Sequence, residues 1–89
     1  KPKTFHLRTY PNPFNTAITI EFELPNSEAT SITVFDCTGR VVARLIEGER
    51  KEARVHTIQW NAIDLASGVY FVKLQTPSGV ITKKTILIR

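Results

Sequence analysis

The segment from residue 17 to residue 24 restricts the possible folds of this chain more than any other stretch. Every second side chain in it is apolar, and most of the side chains between them are polar. The apolar positions are Ile18, Ile20, Phe22 and Leu24, and the polar ones are Thr19, Glu21 and Glu23. A period of two residues is typical of a β-strand with one face against a core and the other in water. Because one such strand cannot enclose its own apolar face, the rest of the chain must supply the opposite side of the core.

Turn signals divide the rest of the chain into further segments of strand length. Residues 25–28 interrupt the first strand, and residues 36–39 and 76–79 have the composition of type I turns, with Asp first or Pro second and Gly last. The segments between the turns are rich in β-branched and aromatic residues, and none has a helical period. This spacing predicts an all-β fold of about seven short antiparallel strands, packed as a β-sandwich.

The apolar faces of these strands define a predicted core between two sheets. The predicted core residues are Ile18, Ile20, Phe22, Ile32, Val34, Ile58, Trp60, Tyr70, Val72 and Leu74. The polar segment of residues 47–53 is predicted to be a loop. The last strand, residues 80–89, contains Ile86, Leu87 and Ile88 in succession, so we expect it to be covered on both faces or to contain a β-bulge.

A glycine-containing connection, residues 64–68, leads into the strand that carries Tyr70. Gly68 lies two residues before Tyr70, as in the tyrosine corner of Greek-key sandwiches, where the hydroxyl binds backbone upstream. A buried phenol needs such a partner, because an unpaired buried hydroxyl costs free energy. We therefore predict that Tyr70 points inward and that Lys73, on the opposite face, points to water.

The N-terminal part of the chain is divided from the sandwich at residue 9. Residues 1–9 are predicted to be a linker or lead-in that ends in a short edge strand, and residues 10–89 to be the β-sandwich domain. Residues 10–15 contain two prolines, which remove backbone donors and restrict their neighbours, so this segment cannot lie inside a sheet. We predict a rigid turn there, held at the edge of the domain by Tyr10 and Phe14.

Length and composition indicate one small globular domain. The chain has 89 residues, of which 42% are hydrophobic and 22% charged; a chain of this size buries about 60–65% of its unfolded surface. It has no apolar run of membrane-spanning length and no leader pattern, and it begins at Lys1 without Met, so we interpret it as part of a longer protein. The net charge of +4 comes from scattered basic residues and predicts no nucleic-acid surface. The single cysteine, Cys37, cannot form an intrachain disulfide.

Catalytic chemistry is not indicated by any motif. No serine lies in a G-x-S-x-G sequence, and His6 and His56 have no third ligand at metal spacing. Cys37 and His56 could form a nucleophile pair, but Cys37 falls at a turn tip and no orienting carboxylate is indicated. We predict that the domain is not an enzyme and that it uses no cofactor or metal.

Two binding interpretations remain open. Asn61 and Asp64 have the oxygen ligands that a Ca²⁺ site requires, although side-chain caps of the turn explain them more simply. Glycans could stack on Tyr10, Phe14 or Trp60 if these rings were exposed, although rings in a thin-cored domain are more often buried.

Three stretches, taken in order along the chain, carry a family resemblance. They are Tyr10-Pro11-Asn12-Pro13-Phe14-Asn15, residues 34–42 with Asp36 and Gly39, and Trp60-Asn61 followed by residues 64–71 with Gly68 and Tyr70. Together with the basic and then aliphatic ending of residues 83–89, they resemble the type A C-terminal sorting domain of the type IX (Por) secretion system. The resemblance covers residues 10–89. Cys37 departs from it, because the family more often carries an aliphatic residue there.

The resemblance implies an immunoglobulin-like antiparallel β-sandwich with Greek-key connections, at the C-terminus of a larger secreted protein. It implies a non-catalytic sorting signal that directs an N-terminal cargo domain through the periplasm, across the outer membrane and to the cell surface. The implied partners are an outer-membrane secretion translocon, which recognises the folded domain, and a surface sortase, which removes it. Neither nucleic acid nor a small-molecule substrate is implied. Cleavage is expected upstream of the sandwich, within residues 1–9.

The terminal strand is the expected recognition element. Its residues are Lys83, Lys84, Thr85, Ile86, Leu87, Ile88 and Arg89. An edge strand can offer free backbone groups to a receptor strand. We expect deletion of residues 85–89 to leave the cargo in the periplasm, provided that the shortened domain still folds.

Two other classes of protein fit the same strand pattern. One is an accessory carbohydrate-binding or fibronectin-like module of a secreted glycoside hydrolase, which would be retarded by glycans in affinity electrophoresis. The other is a structural spacer domain, similar to the immunoglobulin-like part of flagellar hook-capping proteins, which would associate with itself or with a filament.

Overall fold

The computed structural model describes residues 4–89, which form seven β-strands and no helix. The strands are β1 (His6–Tyr10), β2 (Ala17–Glu23), β3 (Glu28–Asp36), β4 (Val41–Lys51), β5 (Val55–Asn61), β6 (Gly68–Thr76) and β7 (Gly79–Leu87). Burial alternates along β2, β3 and β6, as their apolar periodicity predicts. The described part of the chain has no helix with the length and hydropathy needed to cross a membrane.

Two sheets enclose the core. The three-stranded sheet has the order β1-β2-β5, the four-stranded sheet has the order β4-β3-β6-β7, and neighbouring strands are antiparallel. The pairs β2–β5 and β3–β6 join strands that do not follow one another in the chain, as in Greek-key folds. The predicted antiparallel β-sandwich is therefore confirmed.

The core contains the predicted side chains and several that alternation does not indicate. Every predicted core residue is buried except Ile58, which is half-buried. Beyond these and Leu24, the core contains Leu7, Phe14, Ile46, Ala62 and Leu87. These additional residues lie in short, irregular or uniformly apolar segments, where a period of two does not show which side chains point inward.

The predicted loop at residues 47–53 is wrong for most of its length, because β4 continues to Lys51. Glu28 pairs with Lys51, and the β3–β4 register shifts between Thr30 and Ile32. Gly48 lies in this irregularity with φ of 66° and donates its N–H to the Ser31 hydroxyl at 3.0 Å. A β-bulge with glycine in the left-handed region explains the shift. Since β4 is an edge strand, its polar end faces water and shows no apolar alternation.

The last strand contains no bulge, in contrast to one of the two expectations for it. Its register with β6 is regular from Gly68–Leu87 to Thr76–Gly79, and the two-residue link between the strands confirms the predicted turn at residues 76–79. The core covers one face of its C-terminal end through Leu87, whereas Ile86 on the other face is half-buried. Three consecutive apolar residues here therefore mark a strand whose outer face is only partly covered.

Candidate functional site

The terminal strand is partly a core element and partly exposed. Thr85 and Leu87 are 0% and 1% exposed, whereas Ile88 is 52% exposed. Lys83, Lys84 and Arg89 are also exposed. Of the residues expected to carry recognition, two thus hold the strand on the core and four present side chains to solvent.

The outer edge of this strand is already paired with a segment near the N-terminus. The Asn12 side chain accepts a hydrogen bond from Ile86 N–H at 3.1 Å and donates one to the Lys84 carbonyl at 3.3 Å. Phe14 N–H donates to the Ile86 carbonyl at 2.8 Å, and Ile88 N–H donates to the Phe14 carbonyl at 2.9 Å. Residues 12–14, here named the clasp, form a parallel contact on β7. The backbone groups that a receptor strand would need are consequently engaged.

The sequence of the clasp suits this edge. Pro11 and Pro13 have no N–H to donate, so the Asn12 amide makes the contacts that a peptide group would make in a regular strand. Both peptide bonds before these prolines are cis. Phe14 is 2% exposed, and its ring centroid lies 5.9 Å from that of Trp60. Tyr10, by contrast, is 38% exposed under the Arg8 guanidinium, so Phe14 is the buried anchor of the two predicted ones.

Arg89 ties the end of the chain to the connection between β5 and β6. Its Nη1 donates to the carbonyls of Ala62 at 2.8 Å and Leu65 at 3.1 Å, and its backbone N–H donates to the Ser67 hydroxyl at 3.0 Å. The terminal strand is thereby attached to the sandwich through its core face, its outer edge and its last side chain.

The same connection contains the predicted tyrosine corner. The Tyr70 hydroxyl donates to the Ala66 carbonyl at 2.6 Å, and the Tyr70 ring packs edge-on against Trp60 with centroids 6.2 Å apart. Tyr70 is buried, and Lys73 lies on the outer face of β6, as the sequence predicts.

Removing the Tyr70 hydroxyl is expected to destabilise the domain. Tyr70→Phe keeps the ring but leaves the Ala66 carbonyl without this donor, which corresponds to a loss of about 1–2 kcal/mol. Urea denaturation should show a lower midpoint with an unchanged m-value. Tyr10→Phe serves as the control because that ring is exposed, and equal midpoints for the two variants would contradict the corner's contribution.

Asp36 organises the hairpin turn between β3 and β4. Its Oδ1 accepts hydrogen bonds from Thr38 N–H, the Thr38 hydroxyl and Arg40 N–H at 2.9, 2.6 and 3.0 Å, and its Oδ2 accepts one from Arg40 Nε at 3.2 Å. Gly39, with φ of 89°, donates its N–H to the Asp36 carbonyl at 3.0 Å. The predicted turn is confirmed. The Thr38 hydroxyl, followed by the backbone N–H groups, holds the pKa of Asp36 below its ordinary value.

The lowered pKa of Asp36 predicts loss of stability in acid. The ionised Asp36 carboxylate contributes fully to the free energy of unfolding above the ordinary carboxyl pKa. This contribution disappears as the pH falls through the lower pKa of the folded state. The urea midpoint should therefore fall between about pH 5 and about pH 2, and less steeply in Asp36→Asn, which retains an acceptor for Thr38 N–H. An identical pH profile for Asp36→Asn would contradict the assignment. Because the pKa of Glu21 is also lowered, chiefly by the hydrogen bond from Arg8, some acid sensitivity should remain.

The other candidate residues do not assemble into a site. No three His, Cys, Asp or Glu side chains converge within residues 4–89 in a way that could hold a metal. His6 lies 3.4 Å from Glu21 on the outer face of the three-stranded sheet, and Cys37 is exposed at the tip of the β3–β4 hairpin. His56 is in β5 and stacks on its cross-strand partner Phe22 in β2, with ring centroids 5.0 Å apart.

The rings considered for glycan stacking are mostly buried. Phe14 and Trp60 belong to the core, and only Tyr10 presents its face at the surface. A glycan platform of several rings is therefore absent from the positions where the sequence allowed one.

Comparison with known proteins first defines the class of fold. Part of PorZ, a surface component of the type IX secretion system of Porphyromonas gingivalis, is similar with a TM-score of 0.63 and 24% identity, over 93% of this chain and 11% of PorZ. CopC from Methylosinus trichosporium OB3b is similar with a TM-score of 0.50 and 20% identity, over 92% of this chain and 91% of CopC. At these identities the two likenesses show a shared sandwich fold, and the chain spans only about a ninth of PorZ. A comparison with curated proteins gives no significant match.

The family is defined by the sequence match. The family described as the secretion system C-terminal sorting domain matches residues 8–88. The chain belongs to this family, and its function is that of a C-terminal sorting signal for type IX secretion. Membership points to a non-catalytic role, to attachment to a cargo protein and interaction with the secretion machinery, and to a secreted or cell-surface parent protein.

Proposed function

We propose that the outer-membrane translocon recognises this domain through residues 83–89. In this proposal the exposed side chains of Lys83, Lys84 and Ile88 make the contacts, while Thr85, Leu87 and the Arg89 guanidinium hold the strand in position. The observation that carries it is the attachment of the strand on three sides, because a rigid strand presents its side chains in one fixed arrangement. Preorganised side chains bind with a smaller loss of conformational entropy than those of a mobile tail.

Recognition by side chains is favoured over strand pairing at this edge. The clasp uses the outward backbone groups from Lys84 to Ile88, so a receptor strand would first have to displace Asn12 and Phe14. Displacement would expose a buried phenylalanine. Contacts to the exposed side chains require no such change.

The remaining steps follow from the family and the geometry together. We propose that the cargo precedes residue 1, that it passes through the periplasm, and that a surface sortase cleaves on the N-terminal side of β1. Residues of β1 pair with β2 from His6–Glu23 to Tyr10–Thr19, and a paired strand resists proteolysis more than exposed chain does.

The sorting role can be tested with a fluorescent reporter that carries residues 1–89 at its C-terminus. Expressed in a bacterium with a type IX system and in a translocon-null strain, the reporter should reach the surface or medium only in the competent strain. Periplasmic retention in both strains, with the domain folded, would contradict the role.

Neutralising the basic pair of the terminal strand is expected to reduce secretion several-fold. Lys83→Gln with Lys84→Gln removes two exposed charges and leaves the core unchanged, so the thermal midpoint should stay near that of the parent domain. The matched control is Arg50→Gln with Lys51→Gln, an adjacent basic pair at the end of β4. Equal secretion of the two double variants, measured as the fraction of reporter outside the cell, would contradict recognition through Lys83 and Lys84.

The carbohydrate-binding alternative is not favoured, because Phe14 and Trp60 are buried and cannot stack on a sugar. Unretarded migration in affinity electrophoresis against soluble and insoluble glycans is the expected result.

A further inference from the structure

The outer face of the four-stranded sheet carries apolar side chains side by side on three neighbouring strands. By register, Val41 lies opposite Phe35, Phe35 opposite Phe71, and Phe71 opposite Lys84, so one row crosses all four strands. Side chains on this face point away from the core. Both phenylalanines remain half-exposed, because no third layer of residues 4–89 packs over this face of the sheet.

The two phenylalanines line a shallow depression. Its lining residues are Phe35, Asp36, Cys37, Gly39, Phe71, Lys73, Val80 and Thr82. Val80, which is 53% exposed, and the tip of the β3–β4 hairpin both belong to this lining. The lining of the depression is therefore largely apolar.

The charges around this depression are positive and unpaired. Thr33 lies opposite Arg44 on one side and Lys73 on the other, in the row next to the phenylalanines, and Lys84 ends the phenylalanine row. Among residues 4–89, none of these three cations forms an ion pair. The one carboxylate at the rim, Asp36, is engaged by Arg40 and the turn.

The outer face of the other sheet provides an internal comparison. There, Glu21 accepts a hydrogen bond from Arg8 at 3.0 Å and lies beside His6. Its cross-strand partner Thr57 and its neighbour Thr19, two residues earlier in β2, are polar. One face of the sandwich is therefore polar and charge-paired, whereas the other is apolar and cationic. An anionic partner with an apolar side chain is complementary to the second face alone.

We propose that the outer face of the four-stranded sheet binds an acidic protein segment, with one aromatic or branched aliphatic side chain in the depression between Phe35 and Phe71. Lys73 is placed to contact both the acidic residues and the apolar side chain of such a partner. Its ammonium lies 5.8 Å from the Phe35 ring centroid, and Lys73 lines the depression. A protein partner fits better than a membrane surface, since half-buried rings in a concavity do not project into lipid. This interaction goes beyond the sorting function, and apart from Lys84 its residues lie outside the terminal strand.

The experiment uses purified protein of residues 1–89 and a random peptide library displayed on phage. Enriched peptides should contain Asp or Glu around a Phe, Trp, Leu or Ile. A synthetic copy of an enriched peptide should bind more weakly as salt is raised, and should shift amide resonances on Phe35, Phe71 and Lys73. Lys73→Glu is expected to weaken its binding at least about tenfold, and Phe71→Thr to do so without changing the salt dependence.

Lys83→Glu is the matched control, because it makes the same charge change on the neighbouring strand at a position whose register partner, Val72, belongs to the core face. Arg44→Glu provides a second test variant if Lys73→Glu fails to fold. Enrichment of peptides without acidic residues, equal weakening by Lys83→Glu, or resonance shifts confined to the terminal strand would overturn the proposal. Binding to phosphatidylglycerol vesicles with no peptide enrichment would overturn it in favour of a membrane. None of these measurements involves secretion, so a failure here leaves the sorting role intact.

Discussion

Deletion of residues 85–89 is expected to unfold the domain. Leu87 is 1% exposed in the core, Thr85 is 0% exposed, and Arg89 binds the carbonyls of Ala62 and Leu65. Truncating a single buried leucine costs about 2–5 kcal/mol, and the deletion also removes three of the nine β6–β7 register pairs and the support of the clasp. A domain of this length has a total stability of about 4–13 kcal/mol. Circular dichroism with urea denaturation should show loss of the cooperative transition.

The control for this deletion is Ile88→Ser, which changes an exposed side chain of the same segment and should leave the urea midpoint nearly unchanged. A truncated domain that still unfolds cooperatively near the parent midpoint would contradict the structural role of the segment. The expected unfolding also changes how secretion experiments are designed. Loss of secretion after deletion of residues 85–89 cannot separate recognition from folding, whereas substitutions at Lys83 and Lys84 can.

Phe14→Ala is expected to cost about 3–5 kcal/mol, the usual range for a buried phenylalanine. Phe14 is 2% exposed, packs against Trp60, and joins the N-terminal part of the chain to β7 through two backbone hydrogen bonds. Removing the ring leaves a cavity and loosens the clasp at the same time. Urea denaturation monitored by Trp60 fluorescence measures the effect, and Tyr10→Ala, with its exposed ring, should lose far less stability.

A double-mutant cycle tests whether the clasp and the terminal strand act as one unit. If they do, Phe14→Ala and Leu87→Ala together should destabilise the domain by less than the sum of the two single changes, because the residues are bridge partners. Additive effects would show that Phe14 stabilises the core independently of the strand.

Local sequence patterns determined a large part of this structure. The alternation in residues 17–24 predicted a strand with a buried face, and β2 has that strand with Ile20 and Phe22 fully buried. Asp36 and Gly39 predicted the hairpin turn, because a carboxylate that accepts nearby N–H groups and a glycine with positive φ act within a few residues of each other. The tyrosine corner is local for the same reason, since Tyr70 binds a carbonyl only four residues upstream.

The family, too, could be identified from the sequence. The motifs at residues 10–15, 34–42 and 60–71 resemble the sorting domain, and the family match over residues 8–88 confirms this. Such motifs identify a function without showing which side chains are exposed to perform it.

The candidate site depends on contacts between distant parts of the chain, which become visible only in the folded structure. Asn12 and Ile86 are far apart in sequence, and no local pattern shows that a side-chain amide between two prolines pairs with the last strand. The continuation of β4 to Lys51 was hidden because an edge strand in water needs no apolar alternation. Likewise, Ile86, Leu87 and Ile88 are equally apolar, and their different burial results from what packs on each face of the sheet. The strands, the turns and the family motifs could be predicted from the sequence, because each depends on residues close together in the chain. Which side chains of the terminal strand remain exposed could not be predicted, because exposure depends on the whole fold.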